Sequence, residues 1–355
     1  MSRKLNNEPI RSFDEGDSIS GFGLVTKKAR RQDKNGRDYL DMEMADASGT
    51  ITTKAWSDSP ALTAKFEMHD FVAYRGTVHR FRDQLQLNIR ECRRVTEADQ
   101  ELGFDEALII PSTRYDIDEL DQRLRQICAE EIDRPILRQL AQKALESYGD
   151  ELREHPAAKT IHHAFRGGLL EHTVSMAELG LRICDHYSEL DRDLILVGVL
   201  FHDLGKLQEI GAMPVNDYTT VGRLVGHVII GRDLLRECCA AVEDFPADLQ
   251  THLEHLVLSH QGRLEYGAPV QPMTAEALTL HFIDDLDSKL AQLRRGRELG
   301  ESLQFFQGFG RYLFTDFGAG GDENQAEPSP PEPEIKAEST REAVEPEPDQ
   351  PTLDL

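Results

Sequence analysis

A histidine and an aspartate stand side by side, His202-Asp203, inside an apolar run: Ile195 to Phe201 precede them, and Leu204 and Leu207 follow. A run of that kind is interior. Burying a carboxylate within it is costly unless the charge is paired or bound to a cation. A divalent metal meets that demand, because the pair offers one neutral nitrogen and one anionic oxygen from adjacent positions. Lys206 follows three residues after Asp203 and four after His202. All three side chains therefore reach a common side of one helical turn. Whatever this chain folds into has to enclose a charged centre.

Further ligand-type residues sit on apolar segments of helical period. His172 follows Gly167-Gly168-Leu169-Leu170-Glu171, and His227 lies in Gly226-His227-Val228-Ile229-Ile230. His260 ends Leu256-Val257-Leu258-Ser259-His260, and Asp284 lies in His281-Phe282-Ile283-Asp284-Asp285-Leu286. Taken singly, each histidine is more often a satisfied core or surface residue. The ordered set of His, His-Asp, His, His and Asp is far more informative. Histidine with aspartate and without cysteine suits Mn²⁺, Fe²⁺, Co²⁺, Ni²⁺ or Zn²⁺. The 5 cysteines form no CxxC pair and are odd in number, which fits reduced thiols and argues against a cysteine zinc site.

The segment ahead of this set reads as β. Candidate strands are Gly21–Lys27, Tyr39–Ala45, Ile51–Trp56, Phe71–Val78 and Gln84–Ile89. Leu40, Met42 and Met44 alternate with Tyr39, Asp41 and Glu43, and Ile51, Thr53 and Ala55 alternate with Thr52, Lys54 and Trp56. Asn35-Gly36 supplies the positive φ angles of a tight hairpin turn. Five short strands in so little chain predict a small closed β-barrel, and the OB-fold is the commonest solution.

From about residue 105 the pattern becomes helical and stays so. Asp116–Glu130, Ile136–Leu145, Leu169–His186, Arg192–Phe201, Gly222–Ala241, Thr251–Ser259 and Thr274–Gln292 read as helices. After Gly318 the composition collapses to Pro, Glu, Ser and Asp, too poor in apolar side chains to fold. The expected organisation is a barrel over residues 1–97, an all-α domain over 98–318 and a disordered acidic tail over 319–355. The tail's default role is solubilising; docking an unidentified protein is the alternative.

The net charge of −24 looks wrong for a nucleic-acid binder until it is divided by region. Residues 1–95 hold 17 Lys and Arg against 14 Asp and Glu, so that segment escapes the acidity. Its basic run, Lys27, Lys28, Arg30, Arg31, Lys34 and Arg37, surrounds the first hairpin, and Tyr39, Trp56 and Phe81 lie near Arg37, Lys54, Arg80 and Arg82. Cations with aromatic rings are how OB-folds hold single strands, by backbone neutralisation and base stacking. Lys28, Arg31, Arg37, Tyr39, Lys54, Trp56 and Phe81 are the candidate contacts to a single-stranded nucleic acid. The bland alternative is a solvated hairpin with Trp56 in the barrel core. No apolar run reaches membrane-spanning length, and no signal-peptide pattern opens the chain, so a cytoplasmic protein without a membrane partner is expected.

The whole ordered set resembles the HD-domain superfamily of metal-dependent phosphohydrolases. More narrowly, His162-His163-Ala164-Phe165-Arg166-Gly167-Gly168-Leu169-Leu170-Glu171-His172-Thr173 resembles the bacterial YhaM-type 3′–5′ exoribonucleases. So do Phe201 to Lys206, Gly222 to His227, Ser259 to Gly267 and His281 to Lys289. The resemblance covers about residues 10–315, and that family also carries an OB-like domain ahead of its HD domain. It implies that His172, His202, Asp203 and Asp284 are primary metal ligands, that His227 and His260 serve a second ion, and that Asp203 bridges the two. Manganese is the leading metal. Asp203 and Lys206 are the expected catalytic groups, with Lys206 a contact to phosphate, and His163 is a further candidate substrate contact. One position departs from the pattern: Gln261 stands where a second histidine is expected, which bears on the second ion or the scissile phosphate.

The expected activity is stepwise hydrolysis of single-stranded RNA from its 3′ end to nucleoside 5′-monophosphates. Two alternatives stay open at this point: a phosphohydrolase of small nucleotides regulated by the barrel, and a non-catalytic single-strand-binding protein with a structural metal.

Overall fold

The computed structural model describes residues 5, 7–158, 165–298, 303–306 and 310–314. Strands β1 (Ser18–Gln32), β2 (Asp38–Asp46), β3 (Gly49–Ala55), β4 (Phe71–Phe81) and β5 (Gln84–Arg94) close into a barrel in the order β1-β2-β3-β5-β4. All neighbours pair antiparallel except β3 and β5, whose parallel seam runs through Thr53 and Leu87. This is the strand order of the expected OB-type barrel. Each expected strand is present, and β1, β4 and β5 run longer than hydropathy alone indicates.

The alternation sets the faces. Leu40, Met42 and Met44 of β2 and Ile51, Thr53 and Ala55 of β3 are buried, with Val25, Val72, Val78 and Leu87 opposite them. The partners of that alternation, Tyr39, Asp41, Lys54 and Trp56, face outwards, so Trp56 is not barrel core. The first hairpin closes differently from expectation. Gly36 alone takes a positive φ, +74°, while Asp33 Oδ1 accepts from the backbone N–H groups of Asn35 and Arg37. An Asx-type turn replaces the two-residue turn.

The helical part contains α1 (Ile117–Glu130), α2 (Pro135–Glu154), α3 (Gly168–His186), α4 (Arg192–Phe201), α5 (Lys206–Glu209), α6 (Thr220–Val225), α7 (His227–Ala240), α8 (Ala247–Ser259) and α9 (Ala275–Glu298). Local chemistry starts several of them. Asp116 caps α1 by accepting from Asp118 and Glu119 N–H, Pro135 opens α2, and Asp191 caps α4 by accepting from Leu194 N–H. The expected single helix over Gly222–Ala241 is two helices. Gly226 sits between them at φ +80°, a conformation closed to most L-residues. That break makes His227 the first residue of α7.

From Leu194 to Phe201 helix α4 is apolar on every face and buried, so it is the central member, wrapped by α3, α8 and α9. Leu169, Met176, Ile195, Val197, Phe201, Leu256, Leu280 and Ile283 form much of this core. A hairpin of β6 (Leu303–Phe306) and β7 (Arg311–Phe314) follows α9. The tail, residues 319–355, and His163 lie outside the described residues. No helix among those residues is long and apolar enough to cross a membrane.

Candidate metal centre

Five helices and one turn deliver the predicted ligands to one place. His172 comes from the second turn of α3, His202 from the C-terminus of α4, His227 from the first residue of α7 and His260 from the C-terminus of α8. Asp203 follows His202 in the turn between α4 and α5, and α9 contributes Asp284. His172, His202, Asp203 and His260 are all buried. The turn holding Asp203 packs tightly against α7. A Cβ on Gly205 would stand 2.0 Å from the carbonyl oxygen of His227, so only glycine allows this approach.

Each histidine is oriented by a hydrogen bond on Nδ1. His202 Nδ1 donates to Val199 O at 2.8 Å and His260 Nδ1 to Val257 O at 2.7 Å, the same arrangement at two helix ends. His172 Nδ1 meets Asp287 Oδ2 at 2.8 Å, and His227 Nδ1 meets Glu209 Oε1 at 3.0 Å. Anchoring Nδ1 fixes the aim of each ring and turns Nε2 inwards as the candidate donor to a metal. All four Nε2 atoms converge on Asp203. His202 Nε2 and His172 Nε2 lie 3.3 and 3.8 Å from Asp203 Oδ2, and His227 Nε2 and His260 Nε2 lie 3.5 and 3.7 Å from Oδ1. Asp284 Oδ1 is 3.3 Å from His172 Nε2.

The donor set fits divalent ions. Asp203 Oδ1 is buried and, among the described residues, has no hydrogen-bond partner, although a carboxylate oxygen is among the costliest atoms to leave so. The two triads that could each hold an ion, His172–His202–Asp203 and Asp203–His227–His260, share that one aspartate. All donors are imidazole nitrogens or carboxylate oxygens, a set that suits first-row divalent metals. Lys206 Nζ lies 2.6 Å from Asp203 Oδ2.

The electrostatics follow from burial and crowding. Burial opposes the charge on Asp203, yet Lys206, His202 and His227 hold its carboxyl well below the usual range. Burial also disfavours protonated His172, but the Asp284 and Asp287 carboxylates push it up to about 10. His260 goes the other way, down to about 4, because it is buried beside His202.

The centre opens on a cavity of about 440 Å³, within the range of about 300–1,000 Å³ usual for small-molecule sites. Lys206, His227, His260, Gln261 and Asp284 line its floor, and Asp285, Ser288 and Lys289 continue along α9. Sequence reasoning missed Tyr218 and Tyr266, which line the same cavity and are 42% and 62% exposed. Arg223 lies over the Tyr218 ring and Arg263 over the Tyr266 ring, at 5.5 and 5.7 Å from the centroids. Asp287 and Glu209 were also missed. Spacing was a faint signal for Asp287 alone, which lies one helical turn after Asp284 on the same face.

Two comparisons identify the scaffold. The HD-domain family model matches residues 169–289, the stretch that carries every candidate ligand described above. A second family model, described as a putative helicase, matches residues 111–190. The chain is 34% identical over 292 residues to the 3′–5′ exoribonuclease YhaM of Bacillus pumilus, an alignment covering 81% of this chain and 90% of that protein. It is 33% identical over 293 residues to YhaM of Bacillus subtilis, with the same coverage. The chain belongs to the YhaM family of 3′–5′ exoribonucleases. As in the expectation for that family, a five-stranded barrel precedes the HD domain. A solved OB-fold domain of replication protein A from Methanococcus maripaludis aligns to 26% of the chain at 16% identity and a TM-score of 0.21.

On the barrel, strand register brings part of the expected nucleic-acid face together. Tyr39 and Trp56 pack with centroids 5.0 Å apart, and Lys54 Nζ lies 5.1 Å over Tyr39. Asp41 pairs with both Lys54 and Arg31 beside them. Trp56 Nε1 donates to Asn88 Oδ1 at 3.1 Å, which fixes the indole at the edge of a second cavity of about 450 Å³ shared with Ser59, His79 and Arg90. Other candidates lie apart. Lys28 is drawn to the Phe66 carbonyl and Glu67, with its side chain only 17% exposed. Phe81 is 60% exposed where β4 turns into β5, and Arg37 is exposed beside the first hairpin.

Proposed function

We propose that this chain is a metal-dependent 3′–5′ exoribonuclease that hydrolyses single-stranded RNA to nucleoside 5′-monophosphates, with two divalent ions, Mn²⁺ foremost, at the His–Asp centre. The observation that carries this reading is Asp203: a buried carboxylate shared by two histidine pairs, whose neighbours Lys206, His227 and His260 line a cavity of nucleotide size. Its relatives bear the name 3′–5′ exoribonuclease.

His172, His202, Asp203 and Asp284 hold one ion, and Asp203, His227 and His260 the other. When bound, such ions activate water and offset the negative charge that builds on a phosphate in the transition state. The residues of the chain do the rest. Asp203 keeps both halves at one separation, because its two oxygens face opposite histidine pairs. Lys206, on the cavity wall beside Asp203, adds a fixed positive charge toward the phosphate. Tyr218 and Tyr266 offer ring faces for bases entering the cavity. The barrel holds the strand upstream through Tyr39, Lys54, Trp56 and Arg31, with Lys28, Arg37 and Phe81 as further contacts, and His163, in the segment ahead of α3, is a contact outside the barrel. Stacking and phosphate contacts need no 2′-hydroxyl, so single-stranded DNA is a second substrate.

The test is a time course on 5′-labelled single-stranded RNA with Mn²⁺. Progressive 3′ shortening is expected, abolished by EDTA and by His202→Ala or Asp203→Ala. An oligomer that stays intact while mononucleotides are hydrolysed would replace this reading with a small-nucleotide phosphohydrolase.

A further inference from the structure

The two halves of the centre differ, and Gln261 stands against only one of them. Its carboxamide nitrogen lies 2.8 Å from His260 Nε2 and 3.5 Å from His227 Nε2. His260 gives its Nδ1 proton to the Val257 carbonyl, so the lone pair of the neutral ring is on Nε2. An amide N–H complements that lone pair, whereas an amide oxygen there would oppose it. A hydrogen bond to Nε2 occupies the same lone pair that an ion requires. The turn that carries Gln261 is itself held, since His281 Nδ1 donates to the His260 carbonyl at 2.9 Å.

Anionic donors are divided unequally as well. Asp203 Oδ2 and Asp284 both stand beside the His172–His202 half. Among the described residues, Asp203 Oδ1 is the carboxylate oxygen that faces Nε2 of both His227 and His260, while Glu209 is committed to His227 Nδ1 behind the ring.

We infer that Gln261 is a latch on the second half of the centre: the chain holds one divalent ion tightly at His172, His202, Asp203 and Asp284, and takes a second at His227 and His260 only when the Gln261 carboxamide leaves His260 Nε2. This rests on the two-ion reading above. Breaking one neutral hydrogen bond weakens the competing ion by about 2- to 10-fold, and the poorer carboxylate supply adds to that.

The experiment titrates the metal-stripped full-length chain with Mn²⁺ and counts bound ions from the electron paramagnetic resonance signal of the free aquo ion. The wild type should bind one ion tightly and a second at least about tenfold more weakly, a gap of about 1.4 kcal/mol or more. Gln261→Ala and Gln261→Leu should each tighten the second ion about 2- to 10-fold and leave the first unchanged. Leucine keeps the side-chain bulk and removes the donor. His260→Ala should abolish the second ion and spare the first. Two equal ions in the wild type, or a second ion weakened in both Gln261 variants, would overturn the latch; the latter would make Gln261 itself a ligand. A wild type that binds no Mn²⁺ would remove the metal centre, and the latch with it.

Discussion

Asp287 accepts a hydrogen bond from His172 Nδ1 at 2.8 Å and so aims the opposite ring nitrogen at Asp203 and Asp284. Ser175 Oγ donates to the other Asp287 oxygen at 2.6 Å, which holds the carboxylate in place. Partners of this kind typically carry about 10- to 100-fold in metal affinity or activity. Asp287→Ala should therefore weaken the tighter ion by about that factor, with the His227–His260 half unaffected. Mn²⁺ titration reads this directly. A variant with unchanged affinity would show that the aspartate only fills space.

Removing the metal should also cost stability. Asp203, Asp284 and Asp287 are crowded around His172 in a buried site, and bound cations relieve their mutual repulsion. An ion at 100 times its dissociation constant stabilises the folded chain by about 2.7 kcal/mol. Thermal unfolding with and without EDTA should show a lower midpoint after chelation, restored by Mn²⁺ in a concentration-dependent way. Equal midpoints in Asp203→Ala under both conditions are the matching control. A wild type indifferent to chelation would contradict the buried metal centre.

Much of this architecture was legible in the residues. Alternation across Leu40, Met42 and Met44 gave the buried face of β2, and the apolar run before His202 gave α4 with its bounds, Arg192–Phe201. Local pattern failed where tertiary contacts decide. The periodicity of residues 222–241 continues across Gly226, so the break that places His227 at a helix start is invisible to it. The candidate ligands stood out because a buried His-Asp pair demands an explanation. Their supports, Asp287 and Glu209, looked like ordinary helix acids, since only the folded chain brings α9 to α3 and α5 to α7. Tyr218 and Tyr266 lie in connecting segments with no periodicity to place them.

Those two tyrosines supply a substrate test independent of the metal. Base–aromatic stacking is worth about 1–3 kcal/mol per base, roughly 5- to 150-fold in binding. Tyr266→Ala should raise KM for an RNA oligomer within that range while leaving Mn²⁺ affinity alone. Tyr266→Phe should keep most of the wild-type KM, because the ring face is retained. Tyr218→Ala should behave likewise, with the effect partly additive if the two rings meet successive bases. Steady-state kinetics on oligomers of several lengths would check this. A loss confined to kcat would place the tyrosines in the chemistry instead.

The pH dependence of stability has a clear source away from the metal. Asp193 is buried and accepts from the backbone N–H groups of Asp133 and Arg134, at 2.8 and 2.9 Å, and from the Arg134 guanidinium at 2.9 Å. Burial raises its pKa, but these donors together outweigh it and hold the carboxyl below its ordinary value. A carboxyl whose pKa is lower in the folded chain than in the unfolded one stabilises the fold above the unfolded pKa. That contribution is lost as pH falls from about 3.9 through the lower folded value. Hydrogen bonds to a charged group are worth about 1.5–3 kcal/mol, so Asp193→Asn should destabilise the chain by that order at pH 7. Asparagine has one fewer acceptor and no charge to offer Arg134. The gap between variant and wild type should narrow as pH drops below about 4, measured as urea midpoints at pH 7, 5 and 3.5. A gap that stays constant over that interval would mean that Asp193 acts through its shape rather than its charge.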